Sequence, residues 1–245
     1  MLILGIDTAT AQVGVAIGDH DGCRASFSSA TGMRHAEALV PALQFTCAQA
    51  GIALSEIKVV AVDTGPGLFT GLRVGVATAK AVAQALHAPM IGLSSLDLLA
   101  FSVRHSHREI VPVIDARRGE VFFSRYRHTQ GGIQRLAGPN VCRPEELAND
   151  LRAGHGEVLA VGDGALRYAS ILAIDSRIEI GSVFAGHPSA VCLVELAHPR
   201  ALREEFVTPL QIEPTYLRKP DAEINWQTRD AAPGGRGAPR GIANR

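Results

Sequence analysis

Over the first thirty residues the apolar positions come in runs separated by polar breaks, as in strands joined by tight turns. Leu2-Ile3-Leu4-Gly5-Ile6 is a continuous apolar run and Asp7-Thr8-Ala9-Thr10 a break. Residues 12–17 alternate, and Asp19-His20-Asp21-Gly22 is a second turn signal, so the opening reads as strand, turn, strand, turn, strand. The period then changes. Ala36, Leu39, Val40, Leu43, Cys47 and Ala50 recur three and four residues apart and stop at Gly51. That spacing predicts a helix over 35–50, kinked by Pro41. A strand over 57–62, the loop Gly65-Pro66-Gly67-Leu68-Phe69-Thr70, a helix over 71–86 and a strand over 89–93 follow. Ser94 or Ser95 then caps a third helix. Strand, helix, strand in that order calls for a parallel pair.

Beyond 104–108 the texture changes. Residues 110–114 and 121–126 flank the turn Ala116-Arg117-Arg118-Gly119, a hairpin that opens a second α/β unit. Pro144 followed by Glu145 and Glu146 marks a helix start. Residues 157–161 read as a strand, Gly162-Asp163-Gly164 as a turn before a helix, and 188–198 as a further helix. From Arg229 the chain runs Arg-Asp-Ala-Ala-Pro-Gly-Gly-Arg-Gly-Ala-Pro-Arg with no apolar period, the composition of a disordered tail. The expected organisation is a lobe over 1–108, a second over 109–228 and a tail over 229–245.

Composition adds exclusions. The 245 residues are 47% hydrophobic, enough for a real core, and carry 24 Lys+Arg against 24 Asp+Glu. A neutral chain lacks the basic excess of a protein that holds nucleic acid unaided. The neutrality is an average, since the tail holds four arginines against Asp230, a net of +3, which leaves −3 on the body. Cys23, Cys47, Cys142 and Cys192 stand far apart with no C-x-x-C pair, against a zinc ribbon or dithiol and in keeping with a reducing compartment. Asp7 arrives before any signal-peptide core can develop, and the charge-free stretch 38–55 is interrupted by Pro41, Gln44, Gln49 and Gly51. A cytoplasmic protein with no membrane segment is expected.

Candidate chemistry is sparse. The glycine loop, through Gly65, Gly67 and Thr70, could cradle a phosphate at a helix start, with Asp7 and Thr8 in the first turn beside it. No Lys follows the glycines and the third glycine of the dinucleotide fingerprint is missing, so a tight turn capped by Thr70 is the plainer reading. In the next helix Gly71, Gly75, Ala79 and Ala83 form one ridge of small residues, and Ala77, Ala81 and Ala85 another. A mid-helix Gly costs about 1 kcal/mol against Ala, so Gly75 serves packing. The polar stripe, Arg73, Lys80 and Gln84, is too narrow for a helix with one face in water. Two readings of the ridge stand: packing within the chain, or an interface with another subunit. None of the nine histidines is spaced H-x-x-x-H or H-E-x-x-H, and the closest grouping, His105-Ser106-His107, reads as a solvated helix end. Asp115 with Arg117, Arg118 and Glu120 suits a salt-bridged hairpin end better than an anion site. No metal, cofactor or catalytic triad is expected.

Several segments in order resemble the TsaB (YeaZ) family over about residues 1–220. They are Ile3-Leu4-Gly5-Ile6-Asp7-Thr8-Ala9-Thr10, Arg34-His35-Ala36-Glu37-Ala38-Leu39-Val40-Pro41, and Gly65-Pro66-Gly67-Leu68-Phe69-Thr70-Gly71-Leu72-Arg73-Val74-Gly75. Ser94-Ser95-Leu96, Asp115-Ala116-Arg117-Arg118-Gly119-Glu120-Val121 and Pro214-Thr215-Tyr216-Leu217-Arg218 continue the series. Leu68 departs from it, standing where the family usually has Ser. The resemblance implies an α/β fold of the actin-like, Hsp70-like (ASKHA) type, with two lobes and mixed sheets. It implies a part in making threonylcarbamoyladenosine on tRNA beside the anticodon. The catalytic subunit there is the paralogue TsaD, whose metal histidines have only His35 and Glu37 as counterparts here. The implied role is a non-catalytic scaffold that binds TsaD through first-lobe helices, is joined by the ATPase TsaE and meets tRNA through the complex; whether the chain alone forms a homodimer by the same helices stays open. On that reading the interface residues are Leu39, Leu43, Gly71, Arg73, Val74, Gly75, Thr78 and Ala79. The main alternative is an ATP-dependent enzyme of the same fold using Asp7 and the glycine loop; a metallopeptidase lacks ligand spacing.

Overall fold

The structure is a computed structural model that describes residues 1–30, 32 and 34–218. The sequence-assigned tail over 229–245 lies outside the described residues. The chain opens with β1 (Ile3–Asp7), β2 (Val13–Asp19) and β3 (Gly22–Ser29), an antiparallel meander. Helix α1 (His35–Ala50) ends on Gly51, whose left-handed backbone (φ 66°) suits a residue without Cβ. Strand β4 (Val59–Gly65), helix α2 (Phe69–Leu86) and β5 (Met90–Ser94) form the expected parallel unit. Helix α3 (Ser95–Ser102) is capped by Ser94, which accepts the Leu96 N–H.

The second half repeats the plan. Strands β6 (Glu109–Arg117), β7 (Glu120–Thr129) and β8 (Gly132–Cys142) form a second antiparallel meander. Helix α4 (Pro144–Ala153), β9 (Val158–Val161), α5 (Asp163–Arg167), α6 (Ala169–Leu172), β10 (Ile178–Ile180) and α7 (Ala190–Leu202) follow. The first sheet is ordered β3-β2-β1-β4-β5 and the second β10-β9-β6-β7-β8. In each, the first strand of the meander sits at the centre, with parallel strands added on its far side. This is the duplicated two-lobe α/β architecture that the resemblance implies.

Both faces of the first sheet are covered, which is why β1 is apolar at nearly every position. Leu4 and Ile6 point toward α1 and α2, packing with Leu39, Leu43, Val76 and Ala79. Ile3 points the other way, toward Leu193, Val194 and Ala197 of α7. Gly5 lets α7 approach, for a Cβ there would lie 2.9 Å from Val194 Cγ2 and 3.0 Å from the Ala190 carbonyl.

Two expectations change. The sequence places a second lobe over 109–228, but α7 packs on the first sheet, Val207 bridges to Met90 of β5, and Ile212 joins the first core. The first sheet needs a cover for its second face, and the chain returns to supply it. Thr70 does not cap α2. The N-cap is Leu68, and Thr70 lies exposed in the first turn. Among the described residues no helix is long and apolar enough to cross a membrane.

Candidate functional site

Parallel strands β1, β4 and β5 end together, and side chains at those ends point into the crevice where α/β folds hold ligands. Asp7 closes β1 and Asp63 lies near the end of β4, both fully buried. Asp7 Oδ1 accepts the Ala9 N–H (2.9 Å). Asp63 Oδ1 accepts the Gly65 N–H (2.7 Å) and the Ser95 hydroxyl (2.6 Å). The second oxygen of each carboxylate is buried without a donor. Burial, and then the charge of Asp63, holds the Asp7 carboxyl well above the usual carboxylate range. Burial also lifts Asp63 to about 6, against its three hydrogen bonds. One proton on Asp7, shared with Asp63, satisfies both orphaned oxygens.

Above this pair the glycine loop is closed on the first turn. The Leu68 N–H donates to the Ala9 carbonyl (2.7 Å), and a Cβ on Gly67 would meet the same oxygen at 2.2 Å. Thr8 Oγ1 donates to the Gly71 carbonyl (2.8 Å). A Cβ on Gly71 would fall 2.2 Å from the Thr8 carbonyl, and one on Gly75 2.1 Å from Thr8 Oγ1. Asp7, Thr8, Gly65 and Gly67 therefore lie close around one another. The Thr8 hydroxyl and the Gly65 and Leu68 N–H groups are engaged within the chain, and Thr70 lies exposed. His35 is buried with Nε2 donating to the Thr10 carbonyl (2.7 Å), which makes it a strut of the same turn. A cavity of about 520 Å³ lies elsewhere, at the far end of α2, lined by Gln84, His87, Phe206 and Pro209 among others.

The hairpin end of the second lobe is salt-bridged as the sequence suggests. Asp115 accepts from the guanidinium groups of Arg117 and Arg167, both at 3.2 Å, and its N–H donates to Asp163 Oδ1. Arg218 reaches Glu120 at 3.0 Å.

The proposed interface residues sort differently. Leu39, Leu43, Gly71, Gly75 and Ala79 are buried in the chain's own core, because the first small ridge of α2 faces β1 and the Asp7–Thr10 turn. They pack within the chain. Val74 and Thr78 are half-buried, and Arg73 is exposed. The exposed positions of α2 include the second ridge, Ala77, Ala81 and Ala85, with Gln84; those of the adjoining α1 include Val40 (52% exposed), Gln44 and Phe45 (51%), whose ring packs edge-on against Phe27 of β3. Exposed positions on these two helices carry one acid, Glu37, and one base, Arg73. At the start of α2 the Arg73 guanidinium lies 3.8 Å over the Phe69 ring and donates to the Tyr216 hydroxyl (3.1 Å). Sequence reasoning missed Val40, Phe45, Phe69 and Tyr216 as surface residues. The signal was the second alanine ridge, whose phase opposes the glycine ridge.

The family model for TsaD, tRNA N6-adenosine threonylcarbamoyltransferase, matches residues 29–226. An uncharacterised protein of Mycobacterium leprae is 36% identical over 226 residues, 91% of this chain, which spans 56% of that relative's length. The tRNA threonylcarbamoyladenosine biosynthesis protein TsaB of Haemophilus influenzae is 29% identical over 237 residues, 93% of this chain and 96% of that protein. The solved structure of YeaZ from Pseudomonas aeruginosa superposes with a TM-score of 0.75 at 27% identity, covering 88% of this chain and 99% of that one.

Proposed function

Since the chain belongs to the TsaB (YeaZ) family, within the broader TsaD family, we propose that it serves tRNA threonylcarbamoyladenosine biosynthesis as a non-catalytic scaffold. The observation that carries the scaffold reading is the charge-poor outward face of α1 and α2, with Val40 and Phe45 half-exposed on it. Apolar surface of this kind is what a stable protein interface buries. The partner is a TsaD-like catalytic subunit; a TsaE-like ATPase joins the pair, and tRNA is met through the complex. The compartment is the cytoplasm, and the isolated chain self-associates by the same face. The rival, an ATP-dependent enzyme using Asp7 and the glycine loop, is disfavoured because the loop is closed on the first turn through the Leu68 N–H and the Thr8 hydroxyl.

Co-purification of this chain with its TsaD-like subunit tests the interface. Val40→Glu is expected to abolish co-elution while the variant melts as the parent does, and undiminished co-elution would overturn the reading. Depleting the chain in its own cell and analysing bulk tRNA nucleosides tests the pathway. Threonylcarbamoyladenosine is expected to fall. ATP hydrolysis by the pure protein, lost in Asp7→Asn, would return the rival.

A further inference from the structure

The charge-poor face of α1 and α2 carries one side chain whose chemistry an apolar contact leaves unused. Arg73, Ala77, Ala81 and Ala85 are exposed and stand four residues apart, so the arginine heads the exposed ridge of α2. It is the one base among the exposed positions of the two helices. No carboxylate pairs with it among the described residues, yet its guanidinium is held in place. Cζ lies 3.8 Å from the ring centroid of Phe69, one turn earlier, and the Nε–H donates to the Tyr216 hydroxyl at 3.1 Å. The two rings, 38% and 41% exposed, pack on each other with centroids 5.2 Å apart. We propose that Arg73, held by Phe69 and Tyr216, is the polar anchor of this face and binds a carboxylate of the TsaD-like subunit, an inference that rests on the docking reading above.

The unused donors carry the argument. A guanidinium has five N–H groups in a planar fork. Tyr216 takes one, and the Phe69 ring is met by the guanidinium carbon at van der Waals distance. The four N–H groups on Nη1 and Nη2 have no partner among the described residues. Two parallel N–H groups of such a fork match the two oxygens of a carboxylate. Arginine ordinarily loses much rotamer freedom on binding, but the ring contact and the hydrogen bond have already fixed this one. The setting also calls for an anion. A partner that covers the alanine ridge strips water from its first residue, and a desolvated guanidinium without a counter-charge is costly. A phosphate has the right charge, but nucleic acid is held by several bases along its backbone. The exposed positions of α1 and α2 offer one, among Val40, Phe45 and Ala81. Interface hot spots, by contrast, are enriched in arginine and aromatic residues.

The test is calorimetric binding of the full-length chain and its variants to the purified TsaD-like subunit. Arg73→Ala should weaken binding by about tenfold or more. Arg73→Lys should recover little of it, because an ammonium has no planar fork. Tyr216→Phe keeps the ring but releases Nε, and should weaken binding by about threefold. Arg73→Glu should abolish binding, and lysine in place of one Asp or Glu of the partner, found by scanning its exposed acids singly, should restore it. Melting curves of the variants separate lost binding from lost fold, since Arg73 and Tyr216 are exposed. Val40→Glu distinguishes the two readings. If it abolishes binding while Arg73→Ala and Arg73→Glu bind as the parent does, the docking face stands and the anchor is overturned. If Val40→Glu and Arg73→Glu both bind as the parent does, the docking face falls and the anchor with it. A scan that yields no restoring acid overturns the carboxylate. So does loss of tRNA binding by the pure Arg73→Ala chain with its partner binding unchanged, which would assign the arginine to phosphate.

Discussion

Two buried carboxylates with one shared proton impose a direction on stability with pH. Asp7 and Asp63 hold that proton in the folded chain, whereas unfolded aspartates release theirs near pH 4. The folded state therefore binds more protons. Stability is greatest below pH 4 as far as this pair is concerned, and falls as pH rises through about 6 and beyond. Asp7→Asn keeps an oxygen for the Ala9 N–H and puts an amide donor where the proton was. Denaturant melts at pH 5 and pH 8 should show the variant flatter with pH, and more stable than the parent at pH 8 by on the order of 2 kcal/mol. An unchanged pH dependence would show that the pair is not proton-linked. Gly75 offers a second test at this scale. An added Cβ meets Thr8 Oγ1 at 2.1 Å but Thr8 Cβ only at 3.4 Å. Gly75→Ala should cost about 2 kcal/mol by displacing the Thr8 hydroxyl from the Gly71 carbonyl, and should cost much less in a Thr8→Ala background. Additive effects in urea melts would refute the contact. The sequence marks Gly75 as a packing residue but not its neighbour, because Thr8 lies 67 positions away and no local pattern encodes that meeting.

Helix α2 shows why an apolar period names an element more readily than its surroundings. Both small ridges were legible, as were α1, the parallel unit and the hairpin at Gly119. Which ridge faces inward was not, since Gly, Ala and Ala are equally small on both sides. The difference is measurable. Ala79→Arg forces a charge into a site with no exposure and should leave little folded protein, a loss of about 4 kcal/mol or more. Ala81→Arg projects from the outward ridge and should melt within about 0.5 kcal/mol of the parent, yet fail to co-elute with the TsaD-like subunit. If both unfold, or neither affects association, the assignment of the two faces is wrong. Strand β8 was invisible in the sequence for a related reason. It is an edge strand, mostly exposed, and Gly132, Gly138 and Pro139 erase the alternation that betrays a half-buried strand.

At the scale of the molecule, the lobes are interleaved in a way that chain order hides. Helix α7 arrives after the whole second sheet yet covers Ile3, Ala16, Val59, Ala61, Ile91 and Leu93 of the first. Helix α3 sits between the sheets, giving Leu98 to that core and Leu96, Leu99 and Ala100 to the core around Ile110, Phe122 and Tyr126. A boundary drawn from composition near residue 108 follows the sequence, while the hydrophobic effect follows the faces that need cover. Residues 1–108 expressed alone would leave one face of the first sheet bare, an apolar surface too large to stay in water as a monomer. That fragment should show no cooperative thermal transition and should aggregate. The chain cut after residue 218 retains α7, both sheets and every core contact described, and should melt cooperatively near the full-length temperature. A sharp, native-like transition in the 1–108 fragment would mean that the first lobe does not depend on α7, and that the two halves are separable units after all.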